Sequence, residues 1–179
     1  MVFHECPDIH IHPDYTHARS YNDIGILELE QPVTYSENIY PICLNTKIED
    51  PTDVAYVTGW GLTRTDGTAS PWLIKVELPI VPLEQCRQFF PDYEKIRLIR
   101  EGIQDTQICA YDRKQKKDSC KGDSGGPLIL ALDLTKKYFS LIGIVAAGDS
   151  CGSNSPGIYT RVASFLNFIE RIVWPRGVN

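Results

Sequence analysis

The chain has 179 residues, 42% of them hydrophobic, and 18 Lys and Arg against 23 Asp and Glu, for a formal net charge of -5. That length suits one compact domain, or two small lobes sharing a core; the apolar fraction argues against disorder, and the mixed charge gives nucleic acid no reason to bind. No apolar run approaches the roughly 18–20 residues of a membrane span, so no membrane partner is expected.

The amino terminus, Met1-Val2-Phe3-His4-Glu5, meets charge and a cysteine before a signal-peptide core can form. Short apolar stretches punctuated by turn residues then follow at Ile24–Leu29, Val54–Trp60, Trp72–Leu78, Leu128–Leu132, Tyr138–Val145 and Ile158–Val162. Trp72, Ile74, Val76 and Leu78 alternate with Lys75 and Glu77, as a strand with one buried face requires. Thr65-Asp66-Gly67-Thr68 and Asp149-Ser150-Cys151-Gly152-Ser153-Asn154 have turn compositions. A short helix carrying Cys86 is expected over Leu83–Phe90 after Pro82. Phe165, Phe168, Ile169 and Ile172 line one face of a closing helix that Pro175 stops.

A strand-rich body ending in an amphipathic helix suggests a barrel with the helix laid against it. Gln31–Pro51 is polar, holds three prolines and reads as a linker. The lobe before it is short of strands, and alone it would have open edges and too little core.

The strongest local signal is Asp118-Ser119-Cys120-Lys121-Gly122-Asp123-Ser124-Gly125-Gly126-Pro127-Leu128. A serine flanked by glycines and anchored by a disulfide-competent cysteine can sit on a tight turn, its hydroxyl exposed and neighbouring backbone N–H groups converging. Such a turn offers a nucleophile beside an oxyanion site. The alternative is a glycine turn into the Leu128 strand on which Ser124 is merely tolerated.

This run resembles the nucleophile motif of the chymotrypsin and trypsin family. Asn22-Asp23-Ile24-Gly25-Ile26-Leu27 is similar to the segment of its catalytic aspartate, with glycine where alanine is usual. Val57-Thr58-Gly59-Trp60-Gly61 resembles the strand opening its second barrel, and Gly157-Ile158-Tyr159-Thr160-Arg161-Val162 the strand before its final helix. The motifs stand in family order from about Ile9 to Pro175. The resemblance implies an all-β, chymotrypsin-like double barrel: residues 1–35 as the remnant of a first barrel, 36–52 as the linker, and 53–179 as a complete second barrel with its C-terminal helix. The expectation is thus a serine protease domain truncated at its amino terminus.

The resemblance further implies that Ser124 is the nucleophile, that the N–H groups of Gly122 and Ser124 form the oxyanion hole, and that Asp23 orients a catalytic histidine. Asp118 matches the base of the primary specificity pocket, and Gly148 and Gly157 match its walls. A buried carboxylate demands a cationic partner, so the substrate implied is peptide cut after Arg or Lys, with no cofactor. The alternative for Asp118 is a solvent-facing acid offset by Lys116 and Lys117. Asp123 matches the residue that pairs with a new amino terminus on activation, and no Ile-Val-Gly-Gly-like segment is present to supply one.

General-base activation needs an imidazole within about 3 Å of the serine hydroxyl. The family's Thr-Ala-Ala-His-Cys-like motif is absent, and His4, His10, His12 and His17 lack its flanking residues. Each reads as a surface or turn residue. His10 and His12 lack a third ligand for a metal site. Ala146 and Ala147 stand where the family usually has serine and an aromatic residue. These departures favour a second reading, a noncatalytic homologue that binds a protease or regulatory partner; a third is a fragment without function.

Six cysteines suit an oxidising compartment and a secreted, extracellular protein, and spacing leaves all 15 full pairings open. The resemblance implies Cys86–Cys109 and Cys120–Cys151. A third family bridge falls on Ala55 and Leu130, two apolar residues that leave no orphan thiol. Cys43 matches the cysteine that ties the catalytic domain to a disulfide-linked light chain, and Cys6 remains unassigned. The retained cysteine and substituted bridge resemble secreted arthropod proteases of the clip-domain type.

Overall fold

A computed structural model describes residues 6–51, 54–63, 67–112, 114, 119–133, 135, 138–148 and 154–175. Its strands are β1 (Asp8–Ile11), β2 (Gly25–Glu28), β3 (Cys43–Leu44), β4 (Val54–Gly59), β5 (Ile74–Val81), β6 (Gln107–Ala110), β7 (Pro127–Asp133), β8 (Tyr138–Ala147) and β9 (Gly157–Arg161). Its α-helices are α1 (Leu83–Gln88) and α2 (Leu166–Val173).

Neighbour pairing runs β3-β8-β7-β4-β5-β6-β9, and β9 pairs back to β8, so the strands from β4 onward close into a six-stranded antiparallel barrel. Closure removes the sheet edges that an open antiparallel sheet would expose. The sequence alternation holds in part in β5, where Leu78 is fully buried and Val76 half-buried while Lys75 and Glu77 face solvent, but Ile74 at the strand's start is exposed. Val57, Leu78, Ile108, Leu128, Ile142, Val145 and Tyr159 fill the interior. Ala55 and Leu130, expected to replace a bridge, are direct cross-strand partners, and Ala55 is fully buried.

Trp72 departs from its expected place. It precedes β5 and is 78% exposed, because pairing starts at Gly59↔Ile74 and Trp72 has no opposite residue on β4. The Ser70 side chain instead forms a local turn, accepting from Trp72 N at 3.2 Å and donating to Trp72 O at 2.7 Å.

The residues before the barrel form a separate two-stranded sheet, β1–β2, whose inner side reaches α2. Ile24, Phe165 and Phe168 make a small core there, with Ile26, Ile144, Ile169 and Ile172 packed on it. The helical face read from the sequence is therefore the buried one. The expected linker is not free of the barrel. Cys43 and Leu44 run parallel to Ser140 and Leu141 of β8, and Asp50 pairs at 2.5 Å with Arg161, whose side chain is 3% exposed.

Arg161 makes three further bonds, to the carbonyls of Ile48, Asp105 and Gln107 at 2.8, 2.9 and 2.8 Å. A buried guanidinium is tolerated only when its donors are used in this way. Asp50 also accepts from Leu83 N at 2.9 Å, at the start of α1. One ion pair thus joins the linker, α1 and β9.

Candidate active site

Ser124 lies on a turn between two glycine-bearing segments. Asp123 N donates to Cys120 O at 3.0 Å and Gly126 N to Asp123 O at 2.8 Å, folding the chain tightly around the serine. Gly125 N to Val145 O and Val145 N to Gly126 O, both 2.9 Å, then seat the turn on β8. Ser124 is exposed. Among the described residues, neither its hydroxyl nor the backbone N–H groups of Gly122 and Ser124 have hydrogen-bond partners. Unused donors beside an exposed hydroxyl are what an oxyanion site requires. Gly122 has φ +96°, a conformation other residues rarely adopt.

The Asp123 side chain holds this loop against the barrel. One carboxylate oxygen accepts from Gly61 N and the other from Cys120 N, each at 2.9 Å. A Cβ built at Gly59 would stand 1.9 Å from Asp123 Oδ1, and one at Gly61 would stand 2.6 Å from its Cγ. The Gly59-Trp60-Gly61 signature is thereby explained: its glycines make room for a half-buried carboxylate. In the sequence alone the motif is a family mark. The Gly-x-Gly pattern was the available signal, but nothing in it named Asp123 as the occupant.

Asp23 is tied to the barrel through its backbone. Its carbonyl accepts a 2.8 Å hydrogen bond from the Thr160 hydroxyl of β9, and Thr160 pairs with Ile144, next to the Val145 that holds the serine turn. The segment before it is fixed as well. Ser20 N and Oγ both donate to Leu98 O, at 2.9 and 3.1 Å, and Gln107, buried in β6, donates to Ser20 O at 3.0 Å. Tyr21 Oη donates to Gly102 O and accepts from Glu101 N, both at 2.9 Å. Burial holds the Asp23 carboxyl above the usual carboxylate range, against a smaller downward pull from the His17 imidazole. Among the described residues that carboxyl has no hydrogen-bond partner.

Of the described histidines, His10 and His12 are engaged elsewhere, and His17 lies within electrostatic reach of Asp23. His10 Nε2 meets Glu28 at 3.2 Å, and the His12 ring lies 5.3 Å from Phe165 and 4.9 Å from Phe168. His17 is exposed and shares a 3.3 Å hydrogen bond with Tyr15 Oη. His4 lies outside the described residues. No group of three or more metal-binding side chains occurs among the described residues.

Asp118, the expected base of the specificity pocket, also lies outside the described residues. Next to it, Ser119 Oγ accepts from Tyr159 Oη at 3.2 Å. Gly148 directly follows β8 and Gly157 opens β9, and the pairing of Ala147 with Ile158 sets the two glycines on adjacent strands. Gly148 is exposed and Gly157 buried. Cys86 and Cys109 form a disulfide with both residues fully buried. Cys120 is disulfide-bonded too, while Cys151, its expected partner, lies outside the described residues. Cys6 and Cys43 are free thiols, Cys43 exposed.

Comparison with known proteins gives a match to the Trypsin family over residues 3–169. The chain is 42% identical over 172 residues to serine protease Hayan of Drosophila melanogaster, covering 94% of the chain and 27% of that protein. It is 40% identical over 163 residues to a venom protease of Bombus pensylvanicus, covering 88% of the chain and 62% of the relative. It is 38% identical over 167 residues to serine protease snk of Drosophila melanogaster, covering 92% of the chain and 37% of the relative. The chain thus spans less than two thirds of each of these relatives.

Proposed function

The chain belongs to the trypsin family of serine proteases, and from that membership we propose that it is a large part of the protease domain of a secreted endopeptidase that cuts after Arg or Lys. The supporting observation is the exposed Ser124 hydroxyl with the unpartnered N–H groups of Gly122 and Ser124 beside it. In this reading Ser124 Oγ attacks the peptide carbonyl, an imidazole takes its proton and later gives it to the leaving amine, and the two N–H groups hold the oxyanion. Asp23 orients the imidazole and Asp118 receives the substrate cation between Gly148 and Gly157.

The imidazole is the missing part. His10, His12 and His17 are committed elsewhere or unflanked by the family motif, so the 179-residue chain alone is proposed to be inactive and residues 1–35 to be part of a larger first lobe. The exposed Cys43 is proposed to bond a light chain, and Asp123 to exchange a backbone donor for a new amino terminus on activation. The second reading, a noncatalytic binding homologue, rests on the absent histidine motif together with Ala146 and Ala147.

The test joins this chain to its upstream, histidine-bearing sequence and assays peptides with Arg, Lys, Gln or Phe before the scissile bond. Cleavage after Arg and Lys, lost in Ser124→Ala and redirected in Asp118→Ser, is expected. A folded, processed protein that cleaves none of them would favour the noncatalytic homologue.

A further inference from the structure

A cavity of about 540 Å³ lies between the end of α1 and the coil before β6, lined by Phe90, Tyr93 and Ile103 together with Arg87, Glu101 and Asp105. None of these residues belongs to the Ser124 turn or to the roles assigned to Asp23, Asp118, Gly148 and Gly157. Its volume falls well inside the range for small-molecule sites, roughly 300–1,000 Å³.

The walls are held in place. Phe90 and Ile103 are buried and pack in the cluster that contains Cys86 and Cys109, so the disulfide ties this floor. Arg87, next to Cys86, donates from Nε to Ile103 O at 3.0 Å and pairs with Glu84 and, at 2.7 Å, with Asp105. The Tyr21 hydroxyl pins the opposite rim through its bonds to Gly102 O and Glu101 N, both 2.9 Å. Gly102 has φ +77°, and a Cβ built on it would stand 3.8 Å from the Tyr93 ring, so that ring lies against the rim. Side chains fixed on both sides keep the opening preformed.

The charge around the cavity is unbalanced. Among the described residues Arg87 is the one cation lining it, and Glu84 and Asp105 both pair with that guanidinium. Glu101 adds a further carboxylate, exposed and accepting at 3.2 Å from the neutral Gln104 amide. Arg100, its chain neighbour, does not line the cavity. Three carboxylates thus stand against a single guanidinium, beside an aromatic and aliphatic floor. The negative surplus favours a cation, and the Phe90 and Tyr93 rings favour one carried on a flat apolar body. The lining runs from α1 through the turn at Tyr93 to residues 101–105 and includes no β-strand. An extended peptide finds no edge to pair with there, so a compact molecule is the better fit.

We infer that this cavity is a binding site for a small aromatic amine, its ring against Phe90, Tyr93 and Ile103 and its ammonium group toward Glu101 and Asp105. The site is separate from the proposed peptide-cleaving centre and does not depend on it. A rigid ring with one charged arm fills such a space with large apolar contact and few rotatable bonds to order.

The test titrates the isotope-labelled 179-residue chain with tryptamine and follows its backbone amide shifts by NMR. Saturable shifts at Tyr93, Gly102, Ile103 and Asp105 are expected. Tryptophol, which carries a hydroxyl in place of the ammonium, and butylamine, which lacks the ring, should each bind about fivefold or more weakly. Glu101→Gln and Tyr93→Ala, both at exposed positions, should weaken tryptamine by a similar factor. Asp118→Asn removes the other acid assigned to a cation and should leave the shifts unchanged. The inference is overturned if those amides show no saturable shift in millimolar tryptamine, if either analogue binds as well as tryptamine, or if either folded cavity variant keeps full affinity. Loss of the shifts in Asp118→Asn with retention in Glu101→Gln overturns it too, by assigning the amine to the other acid.

Discussion

The Thr160 hydroxyl donates a 2.8 Å hydrogen bond to the carbonyl of Asp23, a residue 137 positions earlier in the chain. It ties the aspartate of one lobe to a buried strand of the other, and that strand pairs at Ile144 with the one holding the Ser124 turn. The segments that carry Asp23 and Ser124 are thus both anchored to the paired strands β8 and β9. Thr160→Val keeps the shape and removes the donor. It should cost about 1 kcal/mol in urea unfolding with an unchanged slope, the net worth of one such bond.

Burial raises the Asp23 carboxyl, so the native state holds its proton more tightly than the unfolded chain does. Its contribution to stability is complete below the usual value of 3.8 and is lost as pH rises through the raised native value. Asp23→Asn should therefore stabilise the chain at pH 7 and make no difference at pH 3. The gain is on the order of a few tenths of a kcal/mol, because the side chain keeps part of its water. Thermal unfolding at the two pH values measures it.

Arg161 and Asp50 form the buried ion pair that joins linker, α1 and β9. Asp50→Ala leaves a guanidinium with three carbonyls and no counter-charge, and should cost about 3 kcal/mol. The double variant Asp50→Leu with Arg161→Met should recover part of that loss. A double-mutant cycle in denaturant gives both numbers.

Gly59→Ala places a methyl group where Asp123 Oδ1 now sits. The carboxylate must leave Gly61 N and Cys120 N, releasing the Ser124 loop. Loss of protection at those two amides in hydrogen exchange is expected, while the β4–β5 ladder keeps its protection.

Removing the Cys86–Cys109 bond, which spans a sequence separation of 23, should cost about 3 kcal/mol. Both cysteines are fully buried, so Cys86→Ala with Cys109→Ala avoids stranding a thiol. The shift in denaturation midpoint measures the cost.

The barrel was legible because period-two alternation and turn residues act locally, and the extents of β5, β8 and α2 follow from them within a few residues. The parts that long-range pairing decides were not. β6 is four residues long and wholly buried, so it shows no alternation to read. β3 has two residues and exists because β8 lies beside it. The glycine turn around Ser124 could be read from Gly122 to Gly126, yet the anchors of the Asp23 segment come from Thr160, Ser20 and Gln107. Their residue types carry no signal until the chain has folded. The role of Gly59 and Gly61 was hidden for the same reason, since the carboxylate they accommodate lies some sixty positions away.

The most direct measurement is hydrolysis of an arginyl ester by the purified 179-residue chain, compared with its Ser124→Ala variant. An attacking hydroxyl without a proton acceptor predicts equal rates for the two, at the level of the buffer blank. Turnover at trypsin-like rates by the parent chain, abolished in the variant, would contradict the account by showing that one of its own groups serves as the base.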